Sequence, residues 1–347
     1  MSVGSLNRNG ILLVGNFPSS TSVIRNVCED LAPRLRSAGW NVFTTSHQNG
    51  RLARFLDSIS VIWQMRKQYR IASVDVFSGN AFYLAESSCT LLRSIGKPYV
   101  LTLRGGNLPA FARTRQKRVA KLLQSAAAVV APSGYLQNEM RNYCEDIQLI
   151  PNPLSTCDHP FRCREHAMPR LIWVRSFHEV YNPTMAPQIV SLLVKKYPEI
   201  QLIMAGADRG DGSLLRTRKI AEKLDVTNRV FLPGRIPNHQ VPEWLNQADI
   251  FLNTTNADNT PVSVMEAMAC GLCVTSTNVG GLSYLLEHER DALLVKPNDA
   301  NAMATAVDRI LSSPILACEL SRNGRRKAEQ LDWSCVLPQW NSLLQRI

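Results

Sequence analysis

Short apolar runs alternate with amphipathic segments along the whole chain, and this alternation restricts the fold more than any other feature. In the first half, Ile11–Gly15, Trp40–Thr45, Val74–Ser78, Tyr99–Leu103 and Ala127–Ala131 read as strands, each near a helical segment. Strands separated by helices pair in parallel, and a parallel sheet needs cover on both faces. Asn16–Ser22 reads as a polar turn. A helix-period pattern then runs from about Val23 to Ala38 and stops at Gly39, which suits the position past a helix end. Two prolines within Ile150-Pro151-Asn152-Pro153 exclude helix there, and the polar stretch on to Pro169 reads as a linker. The alternation then restarts. Leu171–Val174, Leu202–Gly206, Val230–Leu232, Ile250–Leu252 and Leu272–Thr275 are expected strands. Pro183–Lys196, Leu214–Leu224, Val241–Gln247 and Val262–Ala269 are expected helices. A chain of 347 residues is long for one core. The pattern predicts two doubly wound, Rossmann-like α/β domains facing across a cleft, residues 1–160 and 161–329. Ligands in such sheets lie outside the carboxyl ends of the strands.

Composition removes several classes of protein. Hydrophobic residues make up 45% and charged residues 19%, the profile of a folded chain rather than a disordered one. The nine cysteines show no repeated short spacing. Cys270 and Cys273 form a lone CxxC between a helix and a strand, so buried, reduced thiols are expected rather than a metal site or disulfides. The apolar run Ile11–Val14 is shorter than the core of a signal peptide. Ala267–Leu286 is uncharged but interrupted by Gly271, Gly280 and Gly281, so no membrane span is expected and a cytoplasmic location is.

The net charge of +11 is unevenly placed: residues 1–165 hold 20 of the 39 Lys and Arg but only 10 of the 28 Asp and Glu. That bias points to an anionic partner for the first half, either a membrane surface, a phosphorylated acceptor or nucleic acid. Two stretches, Arg51–Arg70 and Phe111–Gln124, interleave basic with apolar residues. Each is open to two readings, a helix lying on anionic lipid or a helix with a solvated basic face. No nucleic-acid recognition motif is visible, so nucleic acid is not an expected partner.

The most informative segment is Asp258-Asn259-Thr260-Pro261-Val262-Ser263-Val264-Met265-Glu266-Ala267-Met268-Ala269-Cys270-Gly271. Thr260 suits an N-cap, Pro261 suits the first helical position, and Gly271 suits the end. Val262, Met265 and Ala269 share a face that can pack on the sheet. The helix start would aim backbone N–H groups at an anion such as a diphosphate. Asp258 and Glu266 bracket it, and each carboxylate can accept two hydrogen bonds from vicinal sugar hydroxyls. The alternative is a capping Asp258 and a surface-paired Glu266.

This segment resembles the acid-x7-Glu signature of retaining glycosyltransferases of family 4, which have the two-domain GT-B fold. Their first acid is usually Glu, whereas related polysaccharide-type enzymes carry DN-x-P as here. The resemblance extends over nearly the whole chain, through Val174-Arg175-Ser176-Phe177, Tyr181-Asn182-Pro183, Met204-Ala205-Gly206, Phe231-Leu232-Pro233-Gly234-Arg235 and Ser276-Thr277-Asn278-Val279-Gly280-Gly281. Asp332-Trp333 and Trp340 resemble the final helix, 330–347, that crosses back to the first domain.

The resemblance implies that Asp258 with Asn259, Thr260, Pro261 and Val262 contacts the donor sugar and that Glu266 holds the ribose. It also implies that Arg175 neutralises the donor diphosphate and that Arg235 adds a substrate contact. The Lys usual after Arg175 is missing, so Arg175 acts alone or another base substitutes. In the first half, Gly15 ends the first strand at the cleft edge. Arg104 and Gly105 stand where a His-Gly is common. Arg104 cannot act as a base, but it can hold a phosphate or an acceptor hydroxyl. The alternative is a loop made for its glycines. His47 and His178 are the cleft-adjacent histidines.

Asp208-Arg209-Gly210-Asp211-Gly212 lacks the calcium-loop pattern and reads as a polar turn. No metal or other cofactor is expected. The implied activity is retaining transfer of a hexose-type sugar from a UDP- or GDP-sugar to a glycan or lipid-linked acceptor, with closure excluding water. A nucleotide-sugar-binding protein without turnover, and an epimerase or hydrolase of the same fold, are the alternatives.

Overall fold

The computed structural model describes residues 9–15, 27–45 and 50–347. The expected Asn16–Ser22 turn, the start of the first helix at Val23 and the candidate His47 lie outside them. Among the described residues the chain forms two compact units. One takes the residues up to Pro153 together with Trp333–Ile347, and the other is Leu154–Asp332.

The first unit contains a six-stranded parallel sheet. Its strands are β1 (Gly10–Val14), β2 (Asn41–Thr44), β3 (Ile71–Val76), β4 (Tyr99–Leu103), β5 (Ala128–Ala131) and β6 (Ile147–Leu149), in the order β2-β1-β3-β4-β5-β6. The chain winds outward in both directions from β1 and β3, so the switch point lies between them. β1 and β4 are buried along their whole length, which explains the apolar sequence of β1 and, Thr102 apart, that of β4. On one face, Trp333, Val336, Trp340, Leu343 and Leu344 of the helix Trp333–Arg346 pack with Ile11, Leu13, Leu35 and Val100. The final helix therefore belongs to the first unit, and its spacing of large apolar residues is the reason.

The second unit contains β7 (Arg170–Val174), β8 (Gln201–Ala205), β9 (Val230–Gly234), β10 (Ile250–Asn253), β11 (Cys273–Thr277) and β12 (Ala292–Val295). All pair in parallel, in the order β12-β11-β10-β7-β8-β9. This is the Rossmann order, with the switch point between β7 and β10.

The units divide at Pro153/Leu154 rather than at 160/161, because the polar segment after Pro153 is tied to the second unit. Leu154 bridges Asp332, and its N–H donates to the Leu331 carbonyl at 2.9 Å. Further on, Arg162, Arg164 and Arg170 converge on the fully buried Asp249 at 2.6, 3.4 and 3.1 Å. Asp249 and Arg164 are the buried charges of this group, and the half-exposed Arg162 and Arg170 complete the pairing of the carboxylate.

The cysteine reading agrees with the structure. The described cysteines are free, and Cys270 and Cys273 are fully buried, with burial pushing both thiols up to about 12.

Candidate functional site

The site is assembled at the carboxyl ends of β7 and β10, the switch point of the second sheet. Arg175 directly follows β7. The loop after β10, Thr254–Pro261, delivers Asp258 and leads into the helix Val262–Ala269. Buried hydroxyls hold this loop: Trp173 Nε1 donates to Thr254 Oγ1 at 3.0 Å, and Thr254 Oγ1 donates to the Tyr181 carbonyl at 2.8 Å. Asn253 Nδ2 donates to Ser276 Oγ at 2.9 Å, and Thr277 Oγ1 to the Thr255 carbonyl.

Two glycine contacts fix the loop from the other side. A Cβ on Gly281 would lie 1.8 Å from the Asn259 carbonyl oxygen, and one on Gly280 would lie 2.2 Å from that of Asp258. The Gly281 N–H donates to the Asp258 carbonyl at 3.0 Å. The Gly280-Gly281 pair is thus required by close backbone approach. Gly206, at the end of β8, packs in the same way on the Arg175 carbonyl, where a Cβ would lie 1.6 Å away.

Arg175 and Asp258 meet directly. The guanidinium donates from Nη2 to Asp258 Oδ2 and lies over the Tyr181 ring, 4.5 Å from its centroid. Their side chains are only 19% and 13% exposed, so this ion pair is shielded from water. Arg175 Nε is buried without a hydrogen-bond partner. Burial lowers the proton affinity of Arg175, while Tyr181 and the Glu266 carboxylate raise it. Both Asp258 oxygens are engaged, since Oδ1 accepts from the Asn259 N–H at 2.8 Å. Spacing pointed Asp258 at sugar hydroxyls; the fold turns it on Arg175.

The helix has its expected limits, but its cap lies one residue later than expected. Pro261, with ψ 117°, is the N-cap, and Val262 is the first helical residue. Pro261 is still extended, which pushes Thr260 out of the capping position. Thr260 Oγ1 and Ser263 Oγ are both buried without a hydrogen-bond partner. Val262 does not pack on the sheet and is 38% exposed, whereas Val264, Met265, Ala267, Met268 and Ala269 are fully buried. The helix Pro314–Gln330 covers its other side, with Gly324 against Met268, so burial extends around the helix instead of following one stripe. Gly271, at φ 78°, ends the helix as expected. Glu266 is half-buried, and His159 Nε2 lies 3.9 Å from its Oε1.

The other candidates are distributed as follows. Arg235 is exposed just past β9, after Gly234, whose carbonyl accepts from the Gly206 N–H at 2.8 Å. Gly15 directly follows β1 in the first unit, its N–H donating to Thr45 Oγ1 at 3.3 Å. Arg104 follows β4 but is not an exposed loop residue. Its Nε donates to Asp75 at 3.0 Å and its Nη1 to Asn152 at 2.9 Å. Gly105 is exposed, with φ 78°. His178 caps the turn Glu179–Tyr181, its Nδ1 accepting from the Val180 N–H at 3.2 Å. The Asp208–Gly212 segment is a turn in which Asp211 accepts from Ser213 and Glu179, which holds its carboxyl well below the usual range. Tyr181 and His159 are the neighbours that residue spacing did not single out. Tyr181 belongs to Tyr181-Asn182-Pro183, but nothing local marks it as a platform for Arg175.

The two basic stretches differ. In Phe111–Gln124 the helix Gln116–Gln124 buries Val119, Leu122 and Leu123, and its basic residues are a solvated face. In the helix Arg51–Gln64, Leu52, Leu56 and Trp63 fall on one face by spacing and are 72%, 59% and 50% exposed. The Arg66 guanidinium lies 4.2 Å from the Trp63 ring centroid, and Lys67 beside it is exposed. Among the described residues no helix is long and apolar enough to cross a membrane.

Comparison with known proteins agrees with this architecture. Residues 24–156 match the model of Glycosyltransferase Family 4, and residues 165–327 that of Glycosyl transferases group 1. The chain is 29% identical over 221 residues to a putative teichuronic acid biosynthesis glycosyltransferase, TuaC, of Bacillus subtilis, covering 61% of this chain and 54% of that protein. It is 40% identical over 140 residues to a putative colanic acid biosynthesis glycosyltransferase, WcaL, of Escherichia coli, covering 38% and 34%. The chain spans between about a quarter and three-fifths of the length of these curated relatives. Among solved structures, Anabaena HepE in complex with UDP and glucose aligns over 97% of this chain and 100% of its own, with a TM-score of 0.76 at 14% identity. With one family model on each Rossmann-like unit, and the acid-x7-Glu segment at the switch point of the second, the chain belongs to the family 4 glycosyltransferases of GT-B fold.

Proposed function

We propose that this chain transfers a hexose-type sugar from a UDP- or GDP-sugar to an acceptor hydroxyl, with the anomeric configuration retained. The observation that carries the reading is the shielded Arg175–Asp258 pair, set at the switch point beside the start of the helix Val262–Ala269. The opening N–H groups of a helix have no intrahelical partner, and its dipole favours a negative group there. A diphosphate seated at that end would meet Arg175 and the helix start together, and both would stabilise the charge that develops as it leaves. The unpartnered Arg175 Nε, Thr260 Oγ1 and Ser263 Oγ are unused polar capacity at the same place. Asp258 preorganises Arg175, and Glu266 takes the ribose hydroxyls. No metal and no protein nucleophile is invoked; the leaving phosphate accepts the acceptor's proton. The Anabaena protein's complex with UDP and glucose supports a nucleotide-sugar donor.

The acceptor is a glycan or lipid-linked saccharide of surface-polysaccharide synthesis, a reading supported by bacterial relatives named for teichuronic acid and colanic acid biosynthesis. The exposed Leu52-Leu56-Trp63 face, flanked by Arg66 and Lys67, would rest on an anionic membrane surface on the cytoplasmic side. A second reading, nucleotide-sugar binding without transfer, draws on the full engagement of Asp258 by Arg175 and the Asn259 N–H.

The deciding experiment is a thermal-shift panel of UDP-, GDP-, ADP- and dTDP-sugars, followed by product analysis with the stabilising donor. Selective stabilisation lost in Glu266→Ala supports the donor site. A transferred sugar with retained configuration supports the activity, whereas binding with no product supports the second reading. No stabilisation at millimolar concentrations would remove both.

A further inference from the structure

Glu266 has a histidine neighbour that the proposed reaction does not use. His159 lies just past the short turn Thr156–Asp158 and is 7% exposed. Its Nδ1 is 2.8 Å from the Ser155 carbonyl oxygen. A carbonyl only accepts, so Nδ1 carries a hydrogen, and a neutral ring would present a lone pair at Nε2. Nε2 is buried, has no hydrogen-bond partner, and lies 3.9 Å from Glu266 Oε1. A lone pair facing a carboxylate is repulsive. Only the imidazolium, with hydrogens on both nitrogens, suits both neighbours.

We propose that His159, as the imidazolium, is a positioning residue that holds the Glu266 carboxylate in the orientation needed for the vicinal hydroxyls of the nucleotide's ribose. The second half of this statement rests on the donor reading above; the His159–Glu266 pair does not.

The surroundings leave His159 as the group that changes charge near neutral pH. On the helix of Glu266, Cys270 is a thiol that burial keeps protonated. Arg175, after β7, is committed to Asp258. From the helix Pro314–Gln330, Arg325 donates to the carbonyls of His159 and Ala269 at 3.0 and 2.8 Å and pairs with Glu329 at 2.8 Å. Arg164 donates to the Cys270 carbonyl. Asp158, on the turn itself, adds negative charge near the ring. Burial opposes a charge on His159, but Glu266 and the Ser155 carbonyl outweigh it and hold its pKa above the ordinary imidazole value. The pair is therefore intact below that raised value and is lost as pH rises through it. Donor affinity follows the same sign.

The test has one arm without ligand and one with it. In the full chain labelled at its six histidines, the His159 resonance is assigned from His159→Gln and titrated by NMR in wild type and Glu266→Gln. The expected result is a raised titration in wild type that falls by at least about one pH unit in Glu266→Gln. This arm holds even if His159→Gln folds poorly and a different assignment route is needed. In the second arm, the affinity for UDP- and GDP-sugars, whose diesterified phosphates do not titrate near neutral pH, is measured by calorimetry across the same pH range. Wild type is expected to lose about tenfold in affinity through the titration. His159→Gln, an amide donor that does not titrate, is expected to give a flat profile. A His159 titration indifferent to Glu266, or a pH dependence that survives in His159→Gln, overturns the proposal. A titration that follows Glu266 in a chain that binds neither nucleotide sugar supports the pair and sinks the donor reading instead.

Discussion

Replacing Gly281 by Ala tests the idea that the Gly280-Gly281 pair exists to support the Asp258–Pro261 loop. The φ of Gly281 is negative, so an Ala is tolerated by the backbone itself, and the cost comes from contact alone. Its Cβ would lie 1.8 Å from the Asn259 carbonyl oxygen, 2.7 Å from the carbonyl carbon and 3.0 Å from Cα. These are backbone atoms, which cannot swing aside as a side chain can. Either the loop shifts, breaking the 3.0 Å bond from the Gly281 N–H to the Asp258 carbonyl, or strain is retained. Forced overpacking costs about 1–3 kcal/mol and a lost backbone bond about 1 kcal/mol, so the expected destabilisation is about 2–4 kcal/mol. For a unit the size of Leu154–Asp332 that lowers Tm by about 5–15 °C. The assay is calorimetric unfolding, with Gly210→Ala as control. Gly210 has φ +77° and nothing within 4 Å of an added Cβ, so it isolates the backbone penalty of about 1 kcal/mol. A Gly281→Ala protein that melts with wild type, or no lower than Gly210→Ala, refutes the reasoning.

Other substitutions probe separate parts of the molecule. Arg175→Lys loses the planar fork that both pairs with Asp258 and stacks on Tyr181, and should weaken nucleotide binding by at least about tenfold in calorimetry. Arg104→Ala strands the largely buried Asp75 carboxylate and should cost about 2–3 kcal/mol in urea unfolding of the first unit; an unchanged midpoint would mean that water replaces the guanidinium. Leu56→Glu with Trp63→Glu should abolish cosedimentation with anionic vesicles while leaving Tm unaltered, because both side chains are exposed. Cys163 Sγ lies 3.6 Å from Cys318 Sγ, so a thiol oxidant such as diamide should protect both from alkylation together, and independent alkylation would show that they do not pair.

What could be read from residues alone was the part written in local pattern. The interior strands β1, β7 and β8 carry apolar runs, and the helix Val262–Ala269 is legible at its observed limits, though its capping is displaced by one residue. The edge strands β6 and β12 were missed, since Ile147–Leu149 is short and leaves Leu149 exposed, and an edge strand needs less apolar sequence. β3 was placed a few residues late. Its polar Ser73 is buried against Thr102 at 3.4 Å, a cross-strand contact that hides the strand from a hydrophobicity reading. As candidates, Arg175, Asp258 and Glu266 were legible from spacing and resemblance. Their partnerships were not, because Arg175 and Asp258 meet across the ends of two strands that only the Rossmann order makes neighbours. His159 stands in a segment that looked like a linker, and only the tie of that segment to the second unit gives it a role.

That tie has a further meaning. Leu154 and Asp332 are bridged partners, and Thr156 donates to the Asp332 carboxylate through both its N–H and its hydroxyl, at 2.9 and 2.7 Å. The second unit therefore begins and ends at one stitched point. It is a cassette inserted into the chain of the first unit, with its two ends already fastened together. A gene segment encoding such a cassette could be exchanged between relatives without a new linker, because the splice points are adjacent in the fold however far apart they are in sequence.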